Sequence, residues 1–186
     1  MSEGRGGLNR RTILRALERL AEELERRSVR AELFMVGGGA MALAYTRRRT
    51  TRDLDAIFEP KAVVYHAAQT VAEDLSLPEG WLNDAVKSFA PGEDPERKVV
   101  FRTQWLTVSV ASPRYLLAMK LLAARVDQDI DDIVELYRLC GFTTTDEGMD
   151  LVAAFYPNRR IEPRTQFLLE ELFGASPSAP PNAAKS

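Results

Sequence analysis

Residues 34–58 read FMVGGGAMALAYTRRRTTRDLDAIF, and their order sets what the rest of the chain must supply. An apolar run, Phe34-Met35-Val36, stops at Gly37-Gly38-Gly39. A stretch of small residues, 39–45, suits a helix packed close to a sheet. A basic patch follows, Arg47-Arg48-Arg49 and Arg52, and it leads into Asp53-Leu54-Asp55 and a second apolar run. Thr50 to Phe58 read as a strand, so Asp53 and Asp55, two apart, point to one face. Two adjacent carboxylates repel unless a cation sits between them. Hard oxygen donors select Mg²⁺ or Mn²⁺. A glycine turn between strand and helix presents backbone N–H groups to phosphate, and the arginines supply charge for a polyphosphate or an RNA backbone. Each part alone is common. Asp-x-Asp also marks solvent-facing strand ends, Gly-Gly-Gly also marks tight turns, and arginine runs are usually solvated surface.

Outward from this stretch, strands alternate with helices. Residues 1–8 are Gly-rich and expected to be loose. An amphipathic helix begins at Asn9, capped by Asn9 or Thr12, and runs to about Ser28. Residues 31–36 form a short buried strand. Pro60 ends the second strand, and 61–76 are helical. Residues 81–86 read as a helical turn or two. After the loop at 90–98 come two short strands, Val99–Arg102 and Trp105–Val110, spaced as a hairpin. Pro113 opens an apolar helix over 113–125 behind Ser112 as N-cap. Asp127 caps a helix to about Leu139 that Gly141 terminates. Helices at 146–156 and 164–173 complete the core. The expected fold is α/β (α+β), a mixed β-sheet flanked by helices with a C-terminal helical part. The late hairpin argues against a purely parallel sheet. Residues 1–174 are expected as one domain, with a sheet core over 9–112 and a helical part over 113–174. Residues 175–186, ASPSAPPNAAKS after Gly174, lack core-forming side chains and are expected to be disordered.

Composition narrows the function. At 186 residues, 45% hydrophobic and 28% charged, the chain has material for a globular core. A formal net charge of −2 gives no global field for nucleic acid, so any anion binding must be local. One cysteine, Cys140, excludes an internal disulfide framework. No apolar run is long enough for a transmembrane span, and the N-terminus carries no apolar signal region. The expectation is a cytoplasmic protein without a membrane partner.

Val36-Gly37-Gly38 followed by Asp53-Leu54-Asp55 resembles the signature of the nucleotidyltransferase superfold, with a spacer at the long end of that pattern. Residues 36–58, with KLLAARVDQDIDDIVEL at 120–136, resemble the uncharacterised bacterial nucleotidyltransferase-like group and the AbiEii-type toxins of toxin–antitoxin pairs. The resemblance spans roughly residues 30–140 and implies a nucleotidyltransferase-like sheet, an NTP substrate and a Mg²⁺ or Mn²⁺ cofactor. Asp53 and Asp55 would be catalytic and hold the metal. Gly37, Gly38, Arg47, Arg49, Thr51, Arg52 and Arg125 would bind nucleotide or phosphate. The superfold adds a third acid on a neighbouring strand, where this chain has Thr107 and Ser109. Either the acid comes from elsewhere, with Ser109 a possible member, or one metal binds well, or the site is degenerate.

The AbiEii-type pattern also uses a helix-borne lysine and an acid on the next helix. Lys120 is the only charge between Arg114 and Arg125 on its helix, and it either snorkels to solvent or enters a polar site. The resemblance implies that Lys120 holds phosphate and Asp129 completes the site, with Asp132 the second choice. Acids in a helix's first turn also stabilise its dipole. Three functions follow as expectations. One is transfer of NMP to RNA, with the tRNA 3′ end and an antitoxin partner implied by the toxin likeness. A second is the same transfer to a protein or small molecule. The third is a degenerate binding module.

Overall fold

The computed structural model describes residues 7–46, 49–123 and 125–174. It divides into two compact units, Met1–Ser112 and Pro113–Ser186. The expected disorder of 175–186 lies outside the described residues.

The described residues of the first unit form a five-stranded mixed sheet with two long helices. Helix α1, Arg10–Arg26, starts where the Asn9 side chain accepts the Thr12 N–H at 3.0 Å. Its apolar stripe, Ile13, Leu17, Leu20 and Leu24, is fully buried. Strand β1 (Ala31–Met35) leads into α2 (Gly37–Ala40), which widens into a turn of π-helix at Met41–Tyr45. Next come β2 (Leu54–Glu59), α3 (Lys61–Leu75) and β3 (Leu82–Asn83), then a 3₁₀ turn at Ala85–Ser88. Strands β4 (Lys98–Arg102) and β5 (Leu106–Val110) form the hairpin. Its turn has no Asn-Gly because Thr103 substitutes. The Thr103 hydroxyl accepts the N–H groups of Trp105 and Leu106 at 3.1 and 3.0 Å.

The strand order is β3-β2-β1-β5-β4. β1 pairs antiparallel with β2 and parallel with β5, and β3 runs parallel to β2. α1 and α3 pack on each other and on the sheet. Arg19 on α1 ties them together by bridging buried Glu23 (2.6 Å) and Asp74 (2.5 Å). Burial alternates along the central strands. Leu33, Met35, Leu54, Ala56 and Phe58 are buried, whereas Phe34, Asp55 and Ile57 are half-buried and Glu32 and Glu59 exposed. Period-two alternation thus gives Asp55 to the more open face.

Three local expectations change. The strand carrying the acids starts at Leu54, so Asp53 lies in the bend just before it. Leu8 is not loose. Its side chain is buried and its backbone pairs with Thr51, Leu8 N to Thr51 O at 2.6 Å and Thr51 N to Leu8 O at 3.0 Å. Residues 82–83 form a strand rather than a helical turn, because Leu54 donates to the Trp81 carbonyl at 2.7 Å and draws the segment onto the edge of β2.

The described residues of the second unit form four helices. α4 is Pro113–Ala123, α5 Val126–Cys140, α6 Thr145–Phe155 and α7 Pro163–Phe173. α6 opens with a capping box between Thr144 and Glu147. Tyr137 of α5 stacks on Phe173 of α7, ring centroids 3.8 Å apart. A Cβ at Gly148 of α6 would fall 1.8 Å from the Tyr137 hydroxyl oxygen, so that glycine is the hole into which the tyrosine fits.

Candidate nucleotidyl-transfer site

The first unit brings the glycine turn and Asp55 together. Gly37 has φ +60°, the left-handed region that disfavours a side chain. A Cβ there would lie 3.1 Å from Asp55 Oδ2. At Gly38 it would lie 2.6 Å from Thr51 Oγ1 and 3.8 Å from Arg49 Nε. At Gly39 it would lie 2.8 Å from Leu54 Cδ2. Successive glycines therefore let the backbone lie directly against Asp55, Thr51 with Arg49, and the start of β2. The Val36 N–H donates to the Asp55 carbonyl at 2.9 Å and fixes this approach. Gly37 and Gly38 open a helical turn, where N–H groups lack intrahelical carbonyls.

Asp53 and Asp55 are both half-buried. The bend before β2 is held by Thr51, whose hydroxyl donates to the Asp53 carbonyl at 3.0 Å. Asp53 Oδ2 accepts from Asn83 Nδ2 at 3.2 Å, and Asp55 is the register partner of Asn83. Asn83 lies on a two-residue strand, too short for alternation to reveal, and no signal in the sequence marked it. Next to it, Asp84 accepts from the Tyr65 hydroxyl at 2.6 Å and pairs with Lys61 at 2.5 Å. Lys61 and then Tyr65 hold the Asp84 carboxyl below its ordinary value. Arg49 is half-buried and Arg52 exposed, while Arg47 lies outside the described residues.

The sheet register places the strand position expected for a third acid. Phe34 is opposite Ile57 on one side and Ser109 on the other, so Ser109 lies in the Ile57 row. Its hydroxyl donates to the Leu33 carbonyl at 3.4 Å. Extending both registers by one residue puts Asp55, Val36 and Ala111 in one row. An alanine stands level with Asp55, and among the described residues no group of three or more His, Cys, Asp or Glu side chains could hold a metal ion. Two buried acids escaped the sequence reading, Glu23 on α1 and Asp94 near the end of β5. Asp94 accepts from Ser112 N at 2.7 Å, from Ser112 Oγ at 3.0 Å and from Glu96 N at 3.1 Å. Both its oxygens are used to anchor the 90–98 loop beside the end of β5.

The second unit gathers its own charged cluster. Lys120, 10% exposed at its side chain, lies 2.5 Å from Asp129 Oδ1 and 2.8 Å from Asp132 Oδ2, which are 13% and 3% exposed. The lysine therefore enters a polar site rather than snorkelling to solvent. One ammonium between two carboxylates ties α4 to α5. Arg125 is the exposed N-cap of α5, in the position expected for Asp127.

Asp53 and Asp55 are the residues that could hold a Mg²⁺ or Mn²⁺ ion. Both are hard oxygen donors, and Mg²⁺ is commonly bound by one or two carboxylates with waters and substrate phosphates completing the shell. No helix among the described residues is long and apolar enough to cross a membrane. No curated protein and no solved structure gives a significant match to the chain. The model of one family does, over residues 12–145, a span that includes the glycine turn, both acids and the Lys120 cluster. The mixed sheet and its helices are consistent with the α+β nucleotidyltransferase-like fold. The chain belongs to the family described as nucleotidyltransferase of unknown function (DUF6036).

Proposed function

We propose that the protein is a metal-dependent nucleotidyltransferase that moves an NMP from an NTP to an acceptor. The observation that carries this reading is the approach of Gly37 to the Asp55 carboxylate, where even a methyl group would press on Oδ2 at 3.1 Å. A backbone surface for phosphate and a carboxylate for its metal are thereby adjacent. In this reading the acceptor hydroxyl oxygen attacks the α-phosphorus, its proton passes to water, the α–β phosphoanhydride bond breaks, and pyrophosphate leaves. A divalent cation held by Asp53 and Asp55 would neutralise charge on the phosphate oxygens. The N–H groups of Gly37 and Gly38 would orient the triphosphate, with Arg49 and Arg52 adding charge nearby.

The acceptor assigned is RNA, with the tRNA 3′ end and a toxin role paired with an antitoxin as the specific form. Support for it is the likeness of residues 36–58 and 120–136 to AbiEii-type toxins and the arginines flanking the acids. The test incubates purified protein with Mg²⁺ or Mn²⁺, each labelled NTP and total RNA. Label should enter RNA and be lost with Asp53→Ala. Silence with all four NTPs and both metals, or activity surviving Asp53→Ala, sinks the reading. Label on a protein or an aminoglycoside-like small molecule reassigns the acceptor.

The lack of a three-acid cluster among the described residues favours one second reading, a catalytically degenerate module of the same fold. Calorimetry separates the two, because a degenerate module gives no divalent-dependent NTP binding.

A further inference from the structure

The geometry points to Asn83 as the positioning residue of the metal site, the group that holds the Asp53 carboxylate ready for a divalent cation. This assignment rests on the proposed metal-dependent reading. Asp55 lies within β2 and is fixed by pairing on both sides, to Val36 and to Asn83. Asp53 lies before the ladder begins, in the bend. The bond that Asp53's carboxylate makes to Asn83 therefore does for it what the sheet does for Asp55.

Asn83 is itself oriented. Its Oδ1 accepts the Ala85 N–H at 3.1 Å, an Asx turn, and this leaves Nδ2 to face Asp53 Oδ2 at 3.2 Å. The turn is secured by Asp84, which Tyr65 and Lys61 hold from α3. The donor type also matters. An amide orients a carboxylate without cancelling its charge, whereas an ammonium or guanidinium would compete with the cation. Asn83 engages Asp53 through Oδ2. Partners that orient metal ligands in this way typically change metal affinity 10–100-fold when removed.

The informative variant is Asn83→Ser. Serine at the first position of such a turn can still accept the Ala85 N–H but is too short to reach Asp53. Mn²⁺ binding is titrated by electron spin resonance, with and without a non-hydrolysable NTP analogue, and metal-free melting is followed in parallel. Asn83→Ser is expected to weaken Mn²⁺ about 10-fold while melting as wild type does without metal. Asn83→Ala, which also loses the turn, should weaken Mn²⁺ equally and lower the metal-free melting point. Wild-type Mn²⁺ affinity in both variants overturns the assignment of Asn83 and leaves the functional reading standing. Wild-type protein that takes up no Mn²⁺, with or without nucleotide, overturns both.

Discussion

Lys120 offers the sharpest test of the second unit, because one atom, Nζ, is set against two acids. The perturbation is Lys120→Met, which keeps the length and the apolar stem of the side chain and removes only the ammonium. Asp132, 3% exposed, then has its charge in a nearly dry site, and Asp129, 13% exposed, stays in partial contact with water. Removing one member of a buried ion pair costs about 3–5 kcal/mol, most of it the penalty of the charge left behind. Residual access to water at Asp129 puts the expected loss at the lower end, about 3 kcal/mol. For a chain of this size that is a fall in melting temperature of roughly 6–12 °C. Unfolding followed by circular dichroism measures it, and Lys120→Met with Asp132→Asn supplies the control. Neutralising the buried acid should recover part of the loss, since an amide costs less to bury than a carboxylate that has lost its ammonium. A single variant melting within about 2 °C of wild type, or a double variant no more stable than the single, refutes the account of Lys120 as a buried charge pin.

Two further outcomes follow from the first unit. Gly37→Ala should reduce NTP-dependent labelling about 10-fold or more, since φ +60° and a Cβ 3.1 Å from Asp55 Oδ2 both disturb the site. Backbone strain alone costs about 1–2 kcal/mol. Gly141→Ala, at φ +72° with nothing within 4 Å, should cost similar stability and leave labelling intact. Labelling lost equally in both variants refutes the local account. Asp84 gives a pH signature. Its folded carboxyl lies below the ordinary value because of Lys61 and Tyr65. Its contribution is therefore present above the unfolded-state value, near pH 4, and is lost as pH falls through the folded one. Asp84→Asn should lower the urea midpoint at neutral pH and flatten its decline below about pH 4. A decline as steep as wild type's contradicts the assignment.

Much of the fold was legible locally. The stripe of α1 is a 3.6-residue repeat, and Pro113 and Gly141 stand at the start of α4 and the end of α5. The hairpin was legible from two apolar runs, although its turn relies on Thr103 rather than on Asn-Gly. What escaped was decided at a distance. Leu8 looks like part of a loose N-terminal stretch until Thr51 pairs with it, and Asn83 reads as part of a helical turn until β3 docks on β2. Ser109 reads as a possible site member only because it lies on the strand where a third acid is expected. The register, which the sequence does not show, puts it in the Ile57 row and Ala111 level with Asp55.

The sequence by itself determined the parts. It specified three glycines after an apolar run, two acids two residues apart, a lone lysine on an apolar helix, and the helices around them. Those features depend on backbone sterics and periodicity within a few residues of each position. Only the tertiary structure decided which parts meet. Asp55 lies against Gly37, Asn83 holds Asp53, and Lys120 is locked between Asp129 and Asp132. Each contact depends on strand register or helix packing between segments distant in the chain. A slip of one residue in register turns every side chain of a strand to the other face, so no local pattern can specify such contacts alone.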